Sequence, residues 1–109
     1  MRRDIFHAIA DPTRREIIKL VSLNPMTPNS LADHFDISRQ AVSKHIKILS
    51  ECSLLEQEYS GREIYYRLSP AKLKPLDEWL EPFRLMWQKR FNELDKLLSK
   101  KNKTKNQRR

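Results

Sequence analysis

The chain has 109 residues, which suits one compact domain and is too short for two. Its hydrophobic fraction of 39% and charged fraction of 33% are typical of a globular chain, and its net charge is +8. No apolar run approaches the roughly 20 residues of a membrane helix, and the start of the chain lacks the apolar segment of a secretory signal. A single cysteine, Cys52, excludes an internal disulfide. These features predict a protein of the reducing cytoplasm with no membrane partner.

Most of the net positive charge lies at the end of the chain. Residues 100–109, KKNKTKNQRR, contain six lysines and arginines and no acid, which leaves 16 basic against 14 acidic residues in 1–99. The tail has no apolar residue to offset the entropy of ordering, so we predict a folded domain over 1–99 and a disordered basic tail over 100–109. Two roles remain open for the tail: a solubilising end, or an arm that contacts DNA phosphates.

Residues that accept hydrogen bonds from helix N-terminal amides mark the helix starts. Asp11, Thr27 and Ser69 each precede a proline, which suits the first helical position because it has no amide to satisfy. Ser38 is a fourth cap candidate. This pattern predicts helices over about 3–9, 12–22, 28–35, 39–50 and 70–98.

A different pattern separates the fourth helix from the last. Residues 54–68 are rich in tyrosine and isoleucine and are interrupted by Ser60-Gly61-Arg62. Gly61, the only glycine of the chain, is free to adopt the positive φ of a tight turn, so the segment is predicted to be a β-hairpin. The predicted fold class is therefore mainly α with a small β-hairpin, a winged helix-turn-helix.

The segment 28–50 reads as two short helices joined by a tight turn, which is the helix-turn-helix unit. In the second helix, Val42, Ile46 and Leu49 form an inward stripe, whereas the opposite side has no acid. The N-terminal half of such a helix lies nearest the base edges of the major groove. The predicted DNA-binding residues are Ser38, Arg39, Gln40, Ser43, Lys44, His45 and Lys47 on this helix, and Arg62 at the hairpin tip.

Each of these side chains suits a particular part of a duplex. Arg39 matches the bidentate acceptor pair of guanine and Gln40 matches adenine. Lys44 and Lys47 suit phosphates, and Ser43 suits either. Arg62 suits the minor groove or the flanking backbone. The alternative is an ordinary solvated helix face, which the net charge of −1 over residues 27–67 leaves open.

Three stretches of the chain together resemble one protein family. AIADPTRREIIKLV, MTPNSLADHFDISRQAVSKHIKILSECSLL and GREIYYRLSP are similar to segments of the ArsR family of winged helix repressors, and the match spans about residues 4–99. The resemblance implies a homodimer bound to an inverted-repeat operator in double-stranded DNA and released by a signal. It also implies that the helix starting at Ser38 is the recognition helix and that Gly61-Arg62 is the wing tip.

The sequence departs from the metal sensors of that family. The helix over 28–35 has no cysteine, the last helix has no histidine, and His7, His34 and His45 show no ligand spacing. Because a zinc or soft-metal site needs several converging nitrogen or sulfur ligands, we predict no metal and no cofactor. The resemblance is to a non-metal-sensing branch, which leaves a small-molecule effector of unknown identity open.

The last helix carries more apolar surface than one small domain needs. A dimer seam through the first and last helices is the favoured interpretation, because a two-fold protein can place two recognition helices one DNA turn apart. The alternative is that the helix docks on its own domain. The predicted interface residues are Ile5, Phe6, Ile9, Leu76, Leu80, Phe83, Trp87 and Leu94.

The sequence therefore predicts a sequence-specific DNA-binding transcriptional regulator, a repressor that binds its operator as a homodimer. A winged helix used only for protein–protein contact is the alternative, but it would not need Arg39, Gln40, Lys44 and Arg62 exposed together. An enzyme is not predicted, because the sequence contains no phosphate-binding loop, no nucleophile with a base and no metal cluster.

Overall fold

The computed structural model describes the backbone of residues 4–107 and the side chains of residues 4–100. The chain forms two compact units, Met1–Leu76 and Asp77–Arg109. The first contains most of the elements, and the second is a stretch of the last helix. In chain order the elements are α1 Ile5–Ala8, α2 Pro12–Leu23, α3 Pro28–Ala32, α4 Arg39–Glu51, β1 Leu55–Ser60, β2 Glu63–Leu68, a 3₁₀ helix Pro70–Leu73 and α5 Lys74–Gln107. The predicted fold class, mainly α with one hairpin, is confirmed.

Three of the four predicted helix caps form. Each accepts a hydrogen bond from the amide three residues further on at 3.0 or 3.1 Å, and they are Asp11, Thr27 and Ser38. The cap prediction for Ser69 is wrong, since its side chain makes no cap bond. Its own N–H donates to the Leu54 carbonyl at 2.8 Å, so the end of the hairpin holds it instead. The sequence analysis also missed Asp4, which caps the single turn of α1.

The core of the first unit is built around α4. Val42, Ile46 and Leu49 are 0%, 3% and 0% exposed, as their spacing predicts. They pack in one cluster with apolar residues of α1, α2 and α3, including Ile17 and Leu31. Burial of each such side chain contributes roughly 1.5–3 kcal/mol. The cluster therefore fixes which side of α4 points outward.

The end of α4 sets the direction of the hairpin. Ser53 adopts a φ of +64°, in the left-handed region that follows many helices. The Leu54 N–H donates to the Leu49 carbonyl at 3.1 Å, and the Ser53 N–H donates to the Ser50 carbonyl at 2.9 Å. Leu49 and Leu54 are both fully buried. This paired bonding with its apolar contact is a Schellman motif, and it turns the chain directly from α4 into β1.

The hairpin is closed by a two-residue turn. The strands pair antiparallel in register to Ser60 opposite Glu63, which leaves Gly61 and Arg62 as the turn. Gly61 has a φ of +63°, and a glycine first in a two-residue turn is typical of type II′. A bridge between Met26 and Tyr66, with backbone bonds of 3.0 and 2.8 Å, joins β2 to the segment before α3. The hairpin is thus fixed to the helix-turn-helix.

The last helix is longer than its apolar pattern predicts. α5 continues through Gln107, beyond the predicted end at residue 98. Extension of an existing helix needs no new nucleation, and lysine and glutamine are good helix formers. The backbone of 100–107 is therefore helical where the sequence predicted disorder. Contact of the basic tail with DNA involves side chains outside the described residues, and the domain boundary at residue 99 stays a prediction.

A buried arginine joins three helices of the first unit. Arg14 is only 8% exposed. Its Nε donates to the Ala8 carbonyl at 2.9 Å and its Nη2 to the His7 carbonyl at 3.0 Å, so it binds the end of α1. Its Nη1 lies 3.4 Å from Nδ1 of His45 on α4. The side chain therefore supplies donors to two carbonyls at the end of α1, of which the His7 carbonyl also accepts the Ala10 N–H at 3.3 Å.

We expect Arg14→Met to lower the free energy of unfolding by about 2–4 kcal/mol, because it removes the buried donors to the Ala8 and His7 carbonyls and leaves the latter only its longer bond from the Ala10 N–H. Arg15→Met is the matched control. Arg15 is the next residue, is exposed, and donates only to the Ile9 carbonyl at 2.7 Å. Its loss should cost less than about 1 kcal/mol. Urea unfolding followed by circular dichroism measures both values, and equal losses in the two variants would contradict this role for Arg14.

Candidate nucleic-acid interface

The outward side of α4 is polar and accessible. Burial of Val42, Ile46 and Leu49 turns the predicted contact residues to solvent. Within the helix itself, three positive charges face outward with no acid before Glu51. The exposed residues are Ser38, Arg39, Gln40, Ser43, Lys44 and Lys47. We call these six residues the α4 face.

The turn of the hairpin lies beside the start of α4. Arg62 is exposed, and it lines a groove of about 420 Å³ together with Arg39. The rest of the groove comes from the start of α3 and the first residues of β2. Its remaining lining residues are Thr27, Pro28, Asn29, Ser30, Glu63 and Ile64. We call this the Arg39–Arg62 groove. Arg39 and Arg62, two predicted DNA-binding residues that are 23 positions apart in the chain, thus line the same groove.

A second, smaller cleft links the middle of α4 to the hairpin. It has a volume of about 190 Å³, and Ser43 and Lys47 of the α4 face line it opposite Gln57 and Tyr66. Gln57 Nε2 donates to the Tyr66 hydroxyl at 3.3 Å, across directly paired strand positions. The α4 face and the hairpin therefore form one continuous polar surface.

His45 lies apart from the α4 face. Its Nδ1 is 3.4 Å from Arg14 Nη1 and 3.8 Å from Asp11 Oδ2. His45 directly precedes the buried Ile46, and a step of 100° around the helix axis places it on the side of α4 that faces α2. His45 thus packs at the start of α2, and its assignment to DNA binding stays a prediction.

The same cluster stabilises the charged form of Asp11. Burial alone would raise the pKa of Asp11, but the Arg14 N–H and the positive charges of His45 and Arg14 outweigh it, and the pKa lies below its ordinary value of 3.8. The carboxylate also caps α2, where the helix dipole favours a negative charge. Asp11 therefore caps α2 through its hydrogen bond and lies 3.8 Å from His45 of α4.

The predicted dimer residues divide into two groups. Ile5 is 5% exposed and belongs to the core of its own unit, so its assignment to a dimer surface is corrected. Ile9 and Leu76 are partly buried against that core. Ile5 and Ile9 lie on the same side of a helix four residues apart, which leaves Phe6, 40% exposed, on another side. Of the predicted interface residues on the first helix, Phe6 is thus the exposed one.

The second group lies on α5. Phe83, Trp87 and Leu94 are 38%, 55% and 50% exposed, and Leu80 is half-buried. Trp79 and Phe83 stack with ring centroids 4.9 Å apart. Further exposed apolar residues of the helix are Leu85, Met86, Phe91, Leu97 and Leu98. An apolar surface of this size on a water-exposed helix is typical of an interaction site.

Neither a metal site nor a membrane helix is found in the part of the chain that the structure describes. No group of three or more histidine, cysteine and acidic side chains converges there on a point that could hold a metal ion. The helices described are too short or too polar to cross a membrane.

Comparison with known proteins agrees with this geometry. A family model described as a helix-turn-helix domain matches residues 9–58. The transcriptional repressor SdpR of Bacillus subtilis is 36% identical over 80 residues, which cover 73% of this chain and 89% of SdpR. The transcriptional regulator Rv2034 of Mycobacterium tuberculosis is 35% identical over 78 residues, which cover 72% and 73%.

A solved structure extends the match to the three-dimensional fold. The ArsR-like transcriptional regulator from Rhodococcus sp. RHA1 superposes with a TM-score of 0.67 at 34% sequence identity and covers 87% of each chain. The chain belongs to the ArsR family of helix-turn-helix transcriptional regulators. The predicted winged helix-turn-helix and the family resemblance are both confirmed, and the family consists of regulators rather than enzymes.

Sequence reasoning missed the cluster of Arg14, Asp11 and His45. Arg14 lies in DPTRREI, one of the segments that carried the family resemblance, but nothing in its residue type distinguishes a buried arginine from an exposed one. The Arg39–Arg62 groove was also missed as a unit, because the two residues were assigned separately. The Schellman motif at the end of α4 and the bridge of the hairpin to the segment before α3 bring them together.

The low pKa of Asp11 predicts a pH dependence of stability. Since the folded pKa is below the unfolded one, the stabilisation is complete above about pH 4 and is lost as the pH falls through the folded value. Asp11→Asn keeps a capping oxygen but removes the charge. We expect the variant to be less stable than the wild type at pH 7 and the difference to shrink steadily below pH 4.

Thermal unfolding between pH 2.5 and 7 measures this difference. Asp33→Asn is the matched control, since Asp33 is exposed and no hydrogen bond or ion pair of its side chain is found among the described residues. A constant difference between wild type and Asp11→Asn at every pH would contradict an electrostatic role for Asp11.

Proposed function

We propose that this protein is a transcriptional repressor that binds an operator in double-stranded DNA through α4 and the hairpin. The α4 face carries the proposal, because it is exposed, basic and free of acid up to Glu51, and because it continues into the hairpin tip at Arg62. SdpR, with 36% identity, is itself named a transcriptional repressor. This activity on chromosomal DNA belongs in the cytoplasm of a prokaryotic cell.

Within this surface, sequence recognition falls to the first two turns of α4. Gln40 offers a bidentate donor and acceptor pair for adenine, and Ser43 lies one turn later. Lys44 and Lys47 carry charges on flexible stems and suit the phosphates on either side of the groove. This division assigns sequence preference to short polar side chains and general affinity to long cationic ones.

The repressor acts as a homodimer in this proposal. Phe83, Trp87 and Leu94 recur along one side of α5, and their exposure leaves an apolar stripe for a second copy. A two-fold pair can place two α4 helices in successive major grooves, roughly 34 Å apart, so the operator is an inverted repeat. Phe6 is the residue of α1 that can join this interface.

An effector that controls the DNA complex is a small molecule rather than a metal ion. His7, His34 and His45 are in three different parts of the first unit, and Cys52 is the single cysteine. His45 is already in contact with Arg14 and near Asp11. Because these groups do not converge as a ligand set, they support the non-metal-sensing branch of the family.

Binding to duplexes from the protein's own upstream region tests the DNA-binding proposal. The wild type should prefer this duplex over a scrambled one, and its affinity should fall steeply with salt. Gln40→Ala should reduce the preference by about 1–3 kcal/mol, since one bidentate contact is lost. Gln88→Ala on α5 is the control for loss of an exposed glutamine. Equal affinity of the wild type for both duplexes would support a protein–protein module instead.

The dimer is tested by placing a charge on the apolar stripe. Leu94→Glu should convert the dimer into a monomer in analytical ultracentrifugation and weaken operator binding about 100-fold, because the two half-sites are no longer bound together. Asn92→Glu introduces the same charge on the opposite side of α5 and should leave the dimer intact. A monomeric wild type that binds its operator tightly would contradict this assembly.

A further inference from the structure

Two exposed arginines line one groove, and neither forms an ion pair within residues 4–100. Arg39 is the first residue of α4 and Arg62 is the second residue of the hairpin turn. No ion pair or hydrogen bond of either guanidinium is found within residues 4–100. Both nevertheless line the groove of about 420 Å³ next to α3. Like charges repel when they line one surface, and an anion between them relieves that repulsion.

The polar lining of this groove also favours an anion. Thr27 Oγ1 donates to Ser30 Oγ at 3.0 Å and accepts from the Ser30 N–H at 3.1 Å. Since Ser30 Oγ is the acceptor in the first of these bonds, its own proton is left to be donated elsewhere. Asn29, which is exposed, adds an amide to the same lining. The lining of the groove thus contains hydroxyl and amide donors as well as its two guanidinium groups.

We propose that the Arg39–Arg62 groove is a clamp for a single phosphodiester of the DNA backbone. The inference rests on the proposed function and deepens it. Arg39 then binds phosphate instead of guanine, and Arg62 binds the same phosphate instead of the minor groove. A guanidinium binds phosphate oxygens with two parallel hydrogen bonds, so two of them can hold one phosphate from two sides. This contact sets the register of α4 and the hairpin on the duplex.

One acid moderates the clamp. Glu63 lines the groove, and its Oε2 accepts a hydrogen bond from the Tyr65 hydroxyl at 2.9 Å. The bond holds the carboxylate in place near the phosphate position, where its charge opposes binding. Glu63 therefore limits the affinity that two arginines would otherwise give, and its neutralisation strengthens DNA binding.

Methylphosphonate scanning tests the clamp, because it removes the charge of one phosphate at a time. The probe is a set of operator duplexes with a single substitution at each position of one half-site. For the wild type, one substitution should weaken binding about tenfold. In Arg39→Ala and in Arg62→Ala the same substitution should have a smaller effect, and in the double variant it should change the affinity less than twofold.

Salt dependence and base preference show whether Arg39 binds a phosphate or a guanine. As a phosphate ligand, Arg39→Ala should reduce the slope of log affinity against log salt by about 0.9 and leave the preference among operator sequences unchanged. Glu63→Gln should raise the affinity about threefold. A changed base preference in Arg39→Ala, or a different critical phosphate for each arginine, would overturn the clamp.

Gln40→Ala separates failure of the clamp from failure of the proposed function. It should lose sequence preference and keep the full sensitivity to the critical methylphosphonate. The clamp is wrong, and DNA binding stands, if the wild type binds its operator but no methylphosphonate weakens its binding more than it weakens that of the double variant. If the wild type does not prefer its operator to a scrambled duplex, the proposed function fails and the clamp fails with it.

Discussion

Burial of one side of α4 is the constraint on which the rest of the structure depends. Val42, Ile46 and Leu49 are almost completely excluded from water, and the helix cannot rotate about its axis without exposing them. Such rotation would forfeit roughly 1.5–3 kcal/mol for each side chain. Because the polar residues occupy the other side at a fixed angle, the same burial that stabilises the core presents the α4 face. The stability of the core and the exposure of the proposed recognition surface are thus set by a single helical repeat.

The hairpin depends on the same helix through its last turn. The Schellman motif at Ser53 sends the chain from α4 into β1, and the bridge of Tyr66 to Met26 returns β2 to the segment before α3. These two attachments bring Arg62 beside Arg39. Arg14 adds a connection on the opposite side, from the end of α1 to His45 of α4. The hairpin and the end of α1 are therefore both attached to α4.

Local features of the sequence predicted much of this arrangement. The caps at Asp11, Thr27 and Ser38, the stripe of α4 and the glycine turn each depend on a few neighbouring residues, so they could be predicted from the sequence. The errors arose where tertiary contacts decide. The Ser69 N–H donates to Leu54 while its side chain forms no cap, and Ile5 is buried in the core. The spacing of apolar residues predicts which side of a long helix faces the core. It does not predict which apolar residue of a one-turn helix is buried, or which arginine is buried.

We propose that the α4 face and the hairpin tip contact DNA together. Chemical-shift mapping tests this proposal directly, with ¹⁵N-labelled protein titrated with a duplex from its own upstream region. We expect the largest changes at the amides of Gln40 and Ser43 and at those of Gly61 and Arg62, with Ile17 in the core little affected. Changes confined to other parts of the chain, or an undisturbed hairpin tip, would contradict it.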